Sequence, residues 1–150
     1  MSADPCPGAG TVRLVFPSDP FAVRAALQRL FAALPDGLMD ADARGSAEIV
    51  ITEVLNNIVE HAYADTPGEI DLTISPAADG LHCVVTDHGR ALPGGVLPGE
   101  SLPADDAGLP EGGFGWFLIR SLSQDLCYAR TGNANRLSFR LPAASALVSG

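Results

Sequence analysis

Residues 53 to 63 read EVLNNIVEHAY, and in this otherwise apolar run Glu53, Asn57, Glu60 and His61 stand at spacings that share one side of a helix. A helix turns about 100° per residue, so residues one or two turns apart form one stripe. Ile49, Val50, Val54, Ile58 and Ala62 gather on another, which reads as core. A carboxylate one turn before a carboxamide can do specific chemistry. Asn57 offers a neutral oxygen to a Mg²⁺ ion otherwise held by phosphates and waters. From Glu53 a carboxylate can accept a proton from a hydroxyl or water as a γ-phosphate is transferred, given hydrogen-bond reach. The plainer alternative is the solvated face of an amphipathic helix, with His61 near a helix end that favours a cation. For Glu60 and His61 the sequence does not choose between the two.

Two further segments add to the pair. In DHGRALP, residues 87 to 93, Asp87 ends a strand and offers a carboxylate acceptor to an exocyclic amine, while Gly89 lets the backbone approach a flat ring; adenine fits that description. In EGGFGWFLI, residues 111 to 119, Gly113 and Gly115 open a helix, where free N–H groups and the positive end of the dipole attract phosphate. Between them, from Gly89 to Gly113, periodicity disappears into proline and glycine. A loop of that length in a compact domain is usually functional or disordered, and here it can close over a triphosphate and exclude water. Each motif alone is common in unrelated folds. Their order is what favours a nucleotide site.

The surrounding elements must bring these residues together. A chain of 150 residues with 47% apolar residues is expected to fold as one domain around one core. A net charge of −9 argues against a nucleic-acid partner, because no basic stripe is present to displace counterions. Cys6, Cys83 and Cys127 form no C-x-x-C pair, which fits a reducing cytoplasm; the chain shows no signal peptide and no apolar run long enough for a bilayer. TVRLVF alternates as a strand, and Ser18 or Asp19 can cap a helix carrying Val23, Leu27, Leu30, Phe31 and Leu34 to its stop at Pro35 and Gly37. Asp40 or Asp42 begins a longer helix running to about Tyr63 or Ala64. EIDLTISPA and LHCVVTD form a hairpin whose turn has Gly80 where a positive φ is cheap. FGWFLIRSLS returns to helical spacing, with Phe117, Leu118 and Leu122 toward a sheet, and DLCYAR with RLSFRLP closes the chain as a hairpin around Gly132 and Asn133. The order predicts an α+β fold, a two-layer sandwich with a mostly antiparallel sheet covered on one face by three helices. The domain is expected over residues 11 to 142, with flexible tails at 1 to 10 and 143 to 150.

EVLNNIVEHAY, DHGRALP and GGFGWFLI, in that order, resemble the N, G1 and G2 boxes of the GHKL ATPases, and most of all the RsbW-like anti-sigma factor serine kinases. The likeness covers roughly Thr11 to Pro142. It implies a Bergerat ATP-binding fold, Mg²⁺ and ATP as cofactors, and transfer of the γ-phosphoryl to a serine of a STAS-type anti-sigma antagonist. The same protein would alternately hold a sigma factor, acting in transcription regulation, and a homodimer is left open. By motif position Glu53 becomes the candidate general base, Asn57 the Mg²⁺ ligand, and Asp87 and Gly89 the adenine contacts. Gly113 and Gly115 become the phosphate contacts, with Ala91 and Phe114 as further cofactor-binding positions. Three departures stand out: Ala91 replaces the second glycine of D-x-G-x-G, the lid from Leu92 to Gly112 contains no Lys or Arg, and the threonine often found near the last strand is absent from NANRLSF. For that threonine, Asn135 substitutes or the contact is missing. The alternative function is a catalytically weak or inactive nucleotide-sensing or protein-binding module of the same fold.

Overall fold

A computed structural model describes residues 10–98 and 113–144, so most of both expected tails and the stretch 99–112 lie outside the described residues. The elements follow the predicted order: β1 (Val12–Pro17), α1 (Pro20–Ala33), α2 (Ala41–Asn57), β2 (Glu69–Ala77), β3 (Gly80–Asp87), α3 (Gly113–Leu122), β4 (Gln124–Thr131) and β5 (Ala134–Pro142). The strands form one sheet in the order β1-β2-β3-β5-β4, with every neighbouring pair antiparallel. The expected α+β sandwich is therefore the observed architecture.

The layers follow from the alternation of the strands. Leu14 and Phe16, Ile70, Leu72 and Ile74, Leu81, Cys83 and Val85, and Leu137, Phe139 and Leu141 point to one face and are buried. They meet Val23, Leu30 and Phe31 of α1, Val50, Ile51, Val54 and Leu55 of α2, and Ile119 of α3 in a single apolar cluster. The other face carries Arg13, His82 and Arg136 toward solvent, with an exposed Arg13–Asp71 ion pair at 2.6 Å. Cys83 is buried and Cys127 exposed, on opposite faces, and burial pushes the Cys83 thiol far above its ordinary value.

The helix starts follow from capping. Asp19, not Ser18, accepts from the Phe21 N–H at 3.0 Å, and Asp40, not Asp42, accepts from Ala43 at 2.7 Å. Each such cap stabilises a helix by about 1 kcal/mol. Packing differs from the predicted stripes at several residues. Ile49 is 43% exposed, and Ala47, Ile51 and Leu55 take its place in the core. Phe117 is 42% exposed, Leu118 and Leu122 are half-buried, and Ile119 anchors α3 instead. Leu27 is half-buried, while Ala26 fills the core beside Val23. Gly80 has no positive φ; what excludes a side chain there is the Leu141 carbonyl of β5, which a Cβ would overlap. The turn at Gly132 does take the left-handed conformation, with φ 60°.

α2 does not continue as an α-helix to Tyr63. Its last turn, Ile58–Ala62, widens into a π-helix, closed by the Tyr63 N–H donating to the Ile58 carbonyl at 2.9 Å. Such single wide turns often mark functional sites. At the far end of the chain, Ala143 donates to the Asp79 carbonyl at 2.9 Å and accepts from the Asp40 N–H at 3.0 Å, so the chain is held one residue beyond β5.

Candidate functional site

The π-turn, the end of β3 and the start of α3 converge on a cavity of about 500 Å³ beneath the helices. Its walls include Asn57 and His61, Asp87, Arg90 and Ala91, and Trp116, Tyr128 and Asn135, with Val54, Ile58 and Leu137 as apolar floor. A volume in this range is typical of small-molecule sites.

Asn57 ends α2 where it packs on α3, and its Nδ2 is buried without a hydrogen-bond partner among the described residues. One turn earlier, Glu53 is absent from the cavity lining, and its carboxylate abuts the start of α3. A Cβ at Gly115 would lie 2.6 Å from Glu53 Oε1 and 3.8 Å from Asn57 Nδ2. Glycine at 115 thus leaves room for the Glu53 carboxylate in its present position, while Asn57 would be in ordinary contact. Gly113 is the first residue of α3. Phe114 lies in the same turn, and its side chain is outside the described residues.

Asp87 closes β3 with only 4% of its surface exposed. Its Oδ1 accepts from the Gly89 N–H at 2.8 Å and from Asn135 Nδ2 at 2.8 Å, and Oδ2 takes no hydrogen bond among the described residues. The carboxylate therefore keeps one acceptor oxygen uncommitted at the cavity wall. Gly89 packs against the π-turn so closely that a Cβ would overlap the Ala62 carbonyl, and the next N–H, of Arg90, donates to that carbonyl at 2.8 Å. Arg90 reaches over the rim to Asp65 at 3.6 Å and to the His61 carbonyl at 3.3 Å. Glu60 and His61 are both exposed, and of the two only His61 lines the cavity.

Behind this wall Tyr63 ties the turn together, its hydroxyl donating to the Glu69 carbonyl at 2.6 Å and accepting from the His88 N–H at 2.7 Å. Burial raises the pKa of this hydroxyl, outweighing the opposing hydrogen bond from His88. The predicted structureless loop from Gly89 is anchored over its first part. Leu92 N–H donates to the Tyr128 hydroxyl at 3.1 Å, Pro93–Gly95 forms a short 3₁₀ turn, and Arg120 donates to the Pro98 carbonyl at 3.2 Å. The rest of the expected lid, residues 99–112, lies outside the described residues.

Asn57, Asp87 and Ala91 thus line one cavity, Gly89 and Gly115 bring its walls together, and Glu53 stands beside it. Sequence reasoning missed Trp116 and Tyr128 and left Asn135 open. Tyr128 carried one readable signal, an inward position on β4 alongside Leu126, both half-buried on an otherwise exposed strand.

Among the described residues no helix is long and apolar enough to cross a membrane. The chain resembles the serine-protein kinase RsbW of Bacillus mycoides (strain KBAB4) and that of Bacillus cereus (strain AH187), each 35% identical over 83 residues that cover 53% of this chain and 52% of the relative. The matched stretch spans about half the length of these relatives. A solved histidine kinase domain, from the blue-light activated histidine kinase of Erythrobacter litoralis EL346, superposes with a TM-score of 0.49 at 21% identity, covering 81% of this chain and 61% of that one. The model of the histidine kinase-like ATPase domain matches residues 16–141. With the cavity built from its α2, β3 and α3 segments, the chain belongs to the histidine kinase-like ATPase domain family.

Proposed function

We propose that the chain is an ATP-dependent serine protein kinase that also acts as an anti-sigma factor, working in the cytoplasm by partner switching. The observation that carries this reading is the convergence of Asn57 and Asp87 on one cavity, with Glu53 and the start of α3 packed at its edge. Asp87 Oδ2 would accept from the amine of adenine, with Ala91 lining the same cavity and Gly89 bonded through its N–H to Asp87 Oδ1. The first turn of α3, Gly113 to Gly115, presents N–H groups for phosphate oxygens.

The residues present fit a Mg²⁺ ion. A buried polar atom without a partner costs about 1–3 kcal/mol, and among the described residues Asn57 keeps one. A half-turn of its carboxamide exchanges nitrogen for oxygen, the ligand this ion prefers. Mg²⁺ bound there with the phosphates would neutralise charge as the γ-phosphoryl leaves. Glu53 would hold the proton of an incoming serine hydroxyl, its carboxylate kept at the edge of the site by contact with α3. The serine would belong to a STAS-type antagonist, and a sigma factor would compete for the same protein. The relatives named serine-protein kinase RsbW support a protein serine as the acceptor.

Incubation with Mg·ATP and a STAS-type antagonist is expected to yield phosphoserine, and Glu53→Ala to abolish transfer while sparing nucleotide binding. Equal transfer by that variant would overturn the role of Glu53. A second reading, a nucleotide-sensing module without transfer, is favoured by one observation: Glu53 is not among the residues lining the cavity. Calorimetric heat with ATP and ADP but no phosphoserine would select it.

A further inference from the structure

Asp87 and Asn135 are polar residues buried over almost their whole surface, and they are bonded to each other. A primary carboxamide has two N–H donors and two acceptor positions. In Asn135, 5% exposed, the protein occupies all four. Nδ2 donates to Asp87 Oδ1 and to the Arg90 carbonyl, both at 2.8 Å; Oδ1 accepts from the Tyr128 hydroxyl at 2.6 Å and from Arg130 at 3.0 Å. Turning the amide over would set oxygen against two acceptors and nitrogen against the donor-only Arg130, so its orientation is fixed. Asn135 has nothing left to offer a ligand. What it does is occupy Oδ1 of Asp87, so that Oδ2 is the oxygen left unbonded among the described residues, an acceptor on a residue that lines the cavity.

Tyr128 holds this arrangement from the other side. Its proton is committed to Asn135, and its oxygen receives the Leu92 N–H at the root of the following loop. Leu92, Tyr128, Asn135 and Asp87 all line the cavity. We propose that Tyr128 is a specificity-determining positioning residue. Through Asn135 it sets the single acceptor of Asp87 against a purine amine, and it ties that contact to the Leu92 backbone. The proposal rests on the nucleotide reading of the cavity. A 6-amino purine donates to Oδ2, whereas a 6-oxo purine sets an acceptor against an acceptor and is rejected. Without the Tyr128 hydroxyl, Asn135 Oδ1 loses its shortest donor and its hold on the carboxylate loosens, leaving the Gly89 N–H as the firmer restraint.

The test measures binding of ATP and of inosine triphosphate to the full chain by calorimetry, in the wild type, Tyr128→Phe, Asn135→Ala and the double variant, each with its thermal midpoint. The wild type is expected to prefer ATP. Tyr128→Phe should weaken ATP about tenfold and leave inosine triphosphate nearly unchanged, so that the preference narrows. The double variant should prefer ATP no less than Asn135→Ala alone, since one residue acts through the other. Equal weakening for both nucleotides, an unmoved preference, or additive effects overturns the proposal. Should Tyr128→Phe fail to fold, Arg130→Met removes the other donor to Asn135 from an exposed position, and it must narrow the preference in the same direction or the proposal falls. A wild type that binds neither nucleotide overturns the nucleotide reading itself, an outcome distinct from a wild type that binds ATP with a preference Tyr128 does not control.

Discussion

Gly115 and Glu53 meet where α3 begins, with 2.6 Å between the site of a Cβ at 115 and Glu53 Oε1. The atom in the way is the end of a flexible side chain, so the fold can yield there at little cost. Alanine is also a better helix former than glycine by about 1 kcal/mol. Gly115→Ala is therefore expected to keep or raise the thermal midpoint while pushing the carboxylate aside. A misplacement of about 1 Å in a reacting group can cost about a hundredfold in rate. Single-turnover transfer from γ-labelled ATP, read beside a thermal melt, checks it; unaltered transfer would detach Glu53 from the chemistry.

The same substitution at Gly89 has the opposite signature. There a Cβ would overlap the backbone carbonyl of Ala62, which no rotamer change can move. Overpacking of this kind costs about 1–3 kcal/mol. Gly89→Ala should lower the urea midpoint without changing the slope, and should weaken ATP binding, because the Arg90–Ala62 bond that seats the loop is lost with it. A variant with wild-type midpoint and affinity would show that the approach is looser than it stands.

Asn57→Ala separates stability from function. It removes a buried nitrogen that has no partner among the described residues, so the variant should be as stable as the wild type or up to about 1 kcal/mol more stable. If Asn57 holds Mg²⁺ as proposed, the Mg²⁺-dependent affinity for ATP should fall at least about tenfold, the lower end of what loss of even an outer-shell partner costs a metal site. Calorimetry with and without Mg²⁺ reads this directly. Lower stability with unchanged affinity would make Asn57 a structural residue.

Tyr63→Phe removes both an acceptor for the His88 N–H and a donor to the Glu69 carbonyl, and should destabilise by about 1–3 kcal/mol. The pH dependence has a definite sign. Burial raises the folded-state pKa of Tyr63, so its contribution is complete below the ordinary tyrosine value of about 10 and is lost as pH climbs through the higher folded value. Urea titrations between about pH 8 and about pH 11 should show the wild type losing more stability in alkali than Tyr63→Phe. Parallel curves would mean that the hydroxyl titrates alike in both states.

Alternation in TVRLVF, EIDLTISPA and LHCVVTD, together with two aspartate caps, was enough to read the element order and the single covered face. Those signals are local. Asn57, Asp87 and the glycines at 89 and 115 were readable for the same reason, because each combines a residue type with an element end. The contacts of Tyr128 and Asn135 were not, since their meaning comes from β4 and β5 lying beside the end of β3, a pairing 48 residues apart in the case of Asp87 and Asn135. Nor does periodicity reveal whether a glycine is required by φ or by a neighbour: Gly80 has the turn context of the first and the Leu141 contact of the second. The outward turn of Ile49 and Phe117 likewise reflects where the helices cross, which one stripe cannot specify.

The π-turn at Ile58–Ala62 makes chain length at this point a fixed quantity. Deleting one of its residues would restore regular α geometry but swing Tyr63 by about 100°, away from Glu69 and His88. Ala62 would likewise lose its grip on Arg90. Surface loops elsewhere can shorten or lengthen with little penalty. This stretch cannot, and drift in the sequence should change its letters long before it changes their number.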